Sequence, residues 1–126
     1  DPTVYISLGM TYFGNKKLDM KSVRVETEDN YYDFTCDDQF TGGYDNDLKA
    51  WFDYELFDMD DETSWLNEWL AAKSVTATFT GRDGSTKTYT LTKDNLQAIR
   101  DVLNVYDTLL GSDVSTARVV LRSLVK

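Results

Sequence analysis

In the stretch "KAWFDYELF", Asp53 and Glu55 stand two residues apart beside Trp51. Two carboxylates next to an indole that can stack on a sugar ring are the minimum equipment for glycoside hydrolysis, with one acid protonating the leaving group and the other acting as nucleophile or base. The alternation of the stretch places Trp51, Asp53 and Glu55 outward and Phe52, Tyr54 and Leu56 inward. A solvent-facing strand explains the two acids more simply than catalysis does, and no catalytic residue is assigned. Nucleophilic chemistry is still less favoured. The chain has no histidine, so a serine or Cys36 would need a lysine or carboxylate as its base. Asp37 and Asp38 follow Cys36 directly, and their charge disfavours a thiolate. "GRDGST" has two glycines but lacks the Gly-Lys-Ser/Thr ending of a phosphate-binding loop, so it reads as a hairpin turn.

Hard cations take oxygen ligands from closely spaced acids. Asp37, Asp38, Asp45 and Asp47 are the candidates for such a site. They do not fit an EF-hand: from Asp45 the sixth loop position is Ala50 instead of glycine and the twelfth is Leu56 instead of glutamate. A solvated acidic loop is the plainer reading, and neither a metal nor a cofactor is expected.

Charge narrows the functional classes further. The 126 residues carry a net charge of −9, which argues against nucleic acid and anionic membrane as partners. Residues 26 to 62 hold 14 of the 22 carboxylates with Lys49 as their only base, an acidic block on an otherwise slightly basic chain. With Cys36 alone, no internal disulfide and no four-cysteine zinc site can form. No apolar run is long enough to span a membrane, and the opening "DPTVY" suits a mature or trimmed fragment.

These side chains must be positioned by a mixed set of elements. "VYISLGMTYF" alternates as a half-buried strand with Val4, Ile6, Leu8, Met10 and Tyr12 on one face. "KSVRVETEDNYYDFT" is a hairpin in which Val23 and Val25 answer Tyr32 and Phe34. Its pattern returns at 73 to 92, "KSVTATFTGRDGSTKTYTLT", where Val75, Ala77 and Phe79 face Tyr89 and Leu91 across an Asp-Gly turn. Apolar positions recur between the two copies and polar ones do not, so the echo is a core-facing hairpin used twice. The outer face of the second copy is threonine, and Thr76, Thr78, Thr88 and Thr90 form an unusual surface that is a binding candidate, although threonine is also a strong strand former. Residues 36 to 48 read as an acidic loop. Trp65, Leu66, Trp69 and Leu70 make the apolar stripe of a helix of about three turns. Thr92 caps a longer helix bearing Leu96, Ile99, Leu103, Tyr106 and Leu110, and a further helix is expected at 113 to 125. The expected fold is one α+β domain over 1 to 126: an antiparallel sheet of about five strands with two or three helices on one face.

The stretch "LAAKSVTATFTGRDGSTKTYTLTKDNLQAIRDVLNVYDTLL", residues 70 to 110, resembles an uncharacterised domain of secreted proteins and lipoproteins from gut-type Gram-positive bacteria, and "YISLGMTYFG" with the first hairpin resembles its first half. The resemblance implies an extracytoplasmic location, leaves room for a lipid anchor upstream and supplies no site residues. The expected function is a non-enzymatic binding domain for a protein or glycan at the cell surface, acting through Trp51, Asp53 and Glu55, through the threonine face, or through the acidic loop. The rival reading is a small acidic inhibitor or immunity-type protein docking on a basic enzyme, and a glycan-active enzyme ranks third.

Overall fold

The computed structural model describes residues 5–36 and 41–110. Its elements run β1 (Ser7–Gly14), β2 (Met20–Glu26), β3 (Tyr31–Thr35), β4 (Thr41–Asp45), β5 (Ala50–Asp58), α1 (Thr63–Ala71), β6 (Thr76–Gly81), β7 (Thr86–Thr90) and α2 (Lys93–Leu110). The class is α+β, as expected, but the strands form two antiparallel sheets instead of one. A three-stranded sheet has the order β1-β5-β4 and a four-stranded sheet the order β3-β2-β6-β7.

The two echoed hairpins make the larger sheet. Val23 pairs with Phe34 and Val25 with Tyr32, and the hairpins meet along their first strands, where Val23 lies opposite Phe79 and Val25 opposite Ala77. The repeated apolar pattern thus gives four strands with one shared inner face. In the second hairpin Gly84 adopts φ of +87°, a conformation glycine takes without the strain a Cβ would add, and the Gly81 N–H donates to the Ser85 carbonyl at 2.8 Å. On the outer face of the first hairpin, Arg24 grips Asp33 through two hydrogen bonds of 2.7 and 2.9 Å and covers the Tyr31 ring at 4.2 Å.

The second sheet arises where a loop was expected. Within 36 to 48, residues 41–45 form β4 and pair with β5 from Thr41 opposite Tyr54 to Asp45 opposite Ala50. "TGGYD" carries no alternation that would mark a strand, and its pairing comes from the partner. Asp45 Oδ1 shapes the connection by accepting the N–H groups of Asp47 and Leu48 at 2.9 and 3.0 Å.

The core lies between the inner face of the larger sheet, the inner face of β1 and the two helices. Leu66 and Trp69 of α1 are buried with Val23, Val25, Tyr32 and Phe34, while Met10 and Tyr12 enter from β1 and Leu103 and Tyr106 from α2. The α1 stripe is as the sequence suggests, on a helix of nine residues that is slightly shorter than three turns. At the start of α2, Thr92 Oγ1 accepts the Asn95 N–H at 3.1 Å, and Asn95 Oδ1 accepts the Thr92 N–H at 2.9 Å, so each residue satisfies the other's backbone donor. The helix expected at 113 to 125 lies outside the described residues.

Candidate functional site

The phase of β5 is opposite to the one expected. Asp53 pairs with Tyr12 and Glu55 with Met10, and both partners are buried, so the two acids point inward and Phe52, Tyr54 and Leu56 point outward. The far end of the strand accounts for the reversal. Phe57 packs on Phe34 with ring centroids 4.9 Å apart, and Met59, just beyond the strand, is completely buried. A strand has a side-chain period of two, so fixing Phe57 and Met59 inward carries Glu55, Asp53 and Trp51 to the same side.

Asp53 is therefore a core residue, 1% exposed. Its Oδ2 accepts the Met20 N–H at 3.3 Å, and its Oδ1 has no hydrogen-bond partner. Burial pushes its pKa up, the Met20 hydrogen bond opposes the shift, and the nearby Asp19 charge adds to it. A carboxyl so enclosed has no access to a glycosidic bond, and Glu55 lies half-buried on the same face. Trp51 is also half-buried, edge-on to Tyr44 with centroids 5.3 Å apart. The three residues do share one face, but it is the wrong one for a hydrolytic pair.

What the reversal exposes is an aromatic surface. Phe13 on β1 is 52% exposed, and Tyr54 and Leu56 on β5 are 38% and 56% exposed. Phe13 lies opposite Phe52 with ring centroids 6.2 Å apart. Glycines on the flanking strands let these rings settle onto the backbone. A Cβ at Gly9 would sit 3.2 Å from Cε1 and Oη of Tyr54, and one at Gly43 would sit 3.7 Å from the Phe52 ring. The rings thus lie across their neighbours, and a row of apolar surface faces solvent on the outer side of the small sheet. The sequence carried a partial signal, since Phe52, Tyr54 and Leu56 were legible as one row. Their apolar character argued for the inner face.

The threonine face is arranged as expected. Thr76 pairs with Thr90 and Thr78 with Thr88, and the Thr78 and Thr88 hydroxyls lie 3.4 Å apart, within hydrogen-bonding reach. Thr86, Thr88 and Thr90 are exposed on β7 while Thr76, Thr78 and Thr80 are half-buried. The face is a regular hydroxyl surface on a solvated sheet, bridged at Thr78 and Thr88.

Several acids of the block help to hold the fold. Glu28 accepts the Lys73 N–H with both oxygens, at 2.8 and 3.1 Å, which draws its pKa down. Asp60 accepts the Ile6 N–H at 2.8 Å, and Asp58 accepts the Asp60 N–H at 3.0 Å. Asp33 is held by Arg24, Asp45 shapes its turn, and Asp53 is buried. Of the metal candidates, Asp37 and Asp38 lie outside the described residues, and among the described residues no three acidic, histidine or cysteine side chains cluster to hold an ion. Cys36 is buried. Among the described residues, no helix is long and apolar enough to cross a membrane. The chain matches no protein-family model, and comparison with characterised proteins and with solved structures finds no match either.

Proposed function

We propose that this chain is a non-enzymatic binding domain that acts outside the cytoplasm and holds a cell-surface glycan on the outer face of β1 and β5. One observation carries the reading: Phe13, Phe52, Tyr54 and Leu56 form an outward-facing row, with aromatic rings laid across the sheet over Gly9 and Gly43. An aromatic ring carries negative charge on its face, which attracts the slightly positive C–H groups on the flat side of a sugar ring. Rings spread along a strand suit a repeating polymer. The extracytoplasmic part of the proposal follows the resemblance of residues 70 to 110, and the burial of Asp53 weighs against a hydrolytic role for Asp53 and Glu55.

The test is retention on insoluble polysaccharides, namely cellulose, chitin, xylan and peptidoglycan sacculi. The wild-type chain should be retained on at least one. The double variant Tyr54→Ala/Leu56→Ala should bind it about tenfold more weakly, as expected for losing one ring contact and its apolar neighbour. Both positions are exposed, so the variant should keep its circular dichroism spectrum. Retention on none of the four, or unchanged retention of the double variant, would refute the assignment.

A further inference from the structure

We infer that the cleft between the edge strands β1 and β7 binds an anionic amphiphile, a medium-chain carboxylate whose head group sits at Lys87 and whose apolar chain lies along Leu8, Leu91 and Ile99. β1 ends the small sheet and β7 ends the large one. Residues from both edges and from the first half of α2 line a cleft of about 680 Å³. Close-packed interiors leave few voids larger than a water molecule, whereas ligand pockets occupy roughly 300–1,000 Å³ and are mostly apolar with a few polar groups that set orientation. The cleft has that composition. Leu8, Leu91 and Ile99 are its half-buried apolar walls with Met10, Phe79 and Trp69 beneath them, and Lys87 is its free polar group beside Tyr89 and Asn95, whose side chains bond to each other at 2.8 Å.

Charge decides the ligand class. The chain carries −9 overall, yet among the described residues Lys87 is the only charged one lining the cleft. Register explains its place: Lys87 lies opposite Phe79, so it shares the core-facing side of the hairpin while the threonines take the other. Among the described residues Lys87 has no ion-pair partner. An inward lysine on an edge strand also discourages pairing with another chain. That role accounts for the lysine but not for the unfilled apolar volume beside it. A lone cation over an apolar cleft is complementary to a single anionic head on an apolar tail. Trp69 lies beneath the cleft, 1% exposed, where its emission can report on occupancy of the space above it.

Decanoate is the probe, titrated into the full chain by calorimetry and by tryptophan emission, with 1-decanol and decyltrimethylammonium as neutral and cationic controls. Decanoate should bind about tenfold more tightly than the alcohol, the size of one charge-assisted hydrogen bond, and the cation should bind most weakly. Lys87→Gln should lower decanoate affinity to that of the alcohol and leave the alcohol unchanged. Ala98→Trp, on the exposed face of α2 at the cleft, should block both ligands without a core substitution. No decanoate binding, equal affinity of Lys87→Gln and wild type, or binding that survives Ala98→Trp would each overturn the inference. Tyr54 and Leu56 do not line this cleft, so their double variant should bind decanoate as wild type does, and the two proposals fail separately.

Discussion

Replacing Trp69 by alanine is expected to remove about 3–5 kcal/mol of folding stability, the range for truncating a large aromatic in a close-packed core. Trp69 is 1% exposed and joins α1 to the larger sheet. Its ring stands edge-on to Tyr32 and Phe34, with centroids 5.7 and 6.0 Å away. Tyr32 is further tied to α1 by its hydroxyl, which donates to Glu68 at 2.8 Å. Total stability for a domain of this size is roughly 5–15 kcal/mol, so the alanine variant should sit near the limit of folding. Trp69→Phe should lose much less, because a ring still fills most of the site and the indole N–H has no hydrogen bond to forfeit. Trp65 provides the internal comparison. It touches the same two rings, at 5.4 and 5.6 Å, but is only half-buried, so Trp65→Ala should cost less than Trp69→Ala. Urea unfolding of the three variants measures the order. Equal losses for the two alanine variants would show that burial of Trp69 is not what secures α1.

Replacing Asp53 by asparagine should stabilise the protein at neutral pH. The folded state holds the Asp53 proton to higher pH than the unfolded chain does, because burial disfavours the charge. The contribution of this group to stability is therefore fully present below its ordinary pKa of 3.8 and is lost as pH rises through the raised folded value. Glu28, Asp33, Asp58 and Asp83 have lowered values and contribute in the opposite direction, so the wild-type curve alone does not isolate Asp53. The difference between wild type and Asp53→Asn does. Asparagine keeps an oxygen for the Met20 N–H and removes the charge, so its advantage over wild type should grow as pH rises from 3.8 to neutrality. Asp53→Ala should instead destabilise by leaving the Met20 N–H unpaired. Thermal midpoints from pH 3.8 to neutrality decide the matter. A variant that loses stability at neutral pH would mean the carboxylate is favourably paired when charged.

Asp53 also shows where sequence reasoning stops. Both hairpins and their inward faces were legible, because Val23, Val25, Phe34, Ala77 and Tyr89 alternate cleanly and each hairpin carries its own turn residues. The stripe of α1 and the Thr92 cap were legible for the same reason: their signals repeat within a few residues of one segment. β5 carried two competing rows, Phe52, Tyr54 and Leu56 against Trp51, Phe57 and Met59, with acids interrupting the second. Hydrophobicity favoured the first row, yet packing of Phe57 on Phe34 and burial of Met59 selected the second. β4 was illegible because "TGGYD" becomes a strand only when β5 offers it a ladder.

The amino-acid sequence by itself determined the α+β class, the hairpin used twice, the threonine face and the Thr92 cap, all of which depend on neighbours close along the chain. Only the tertiary structure decided that the strands divide into two sheets, that Asp53 is buried while an aromatic row is exposed, and that Lys87 stands over an apolar cleft. Each of those outcomes depends on which strand pairs with which across tens of residues. Because side chains alternate with a period of two, one long-range pairing reverses every face of a strand at once.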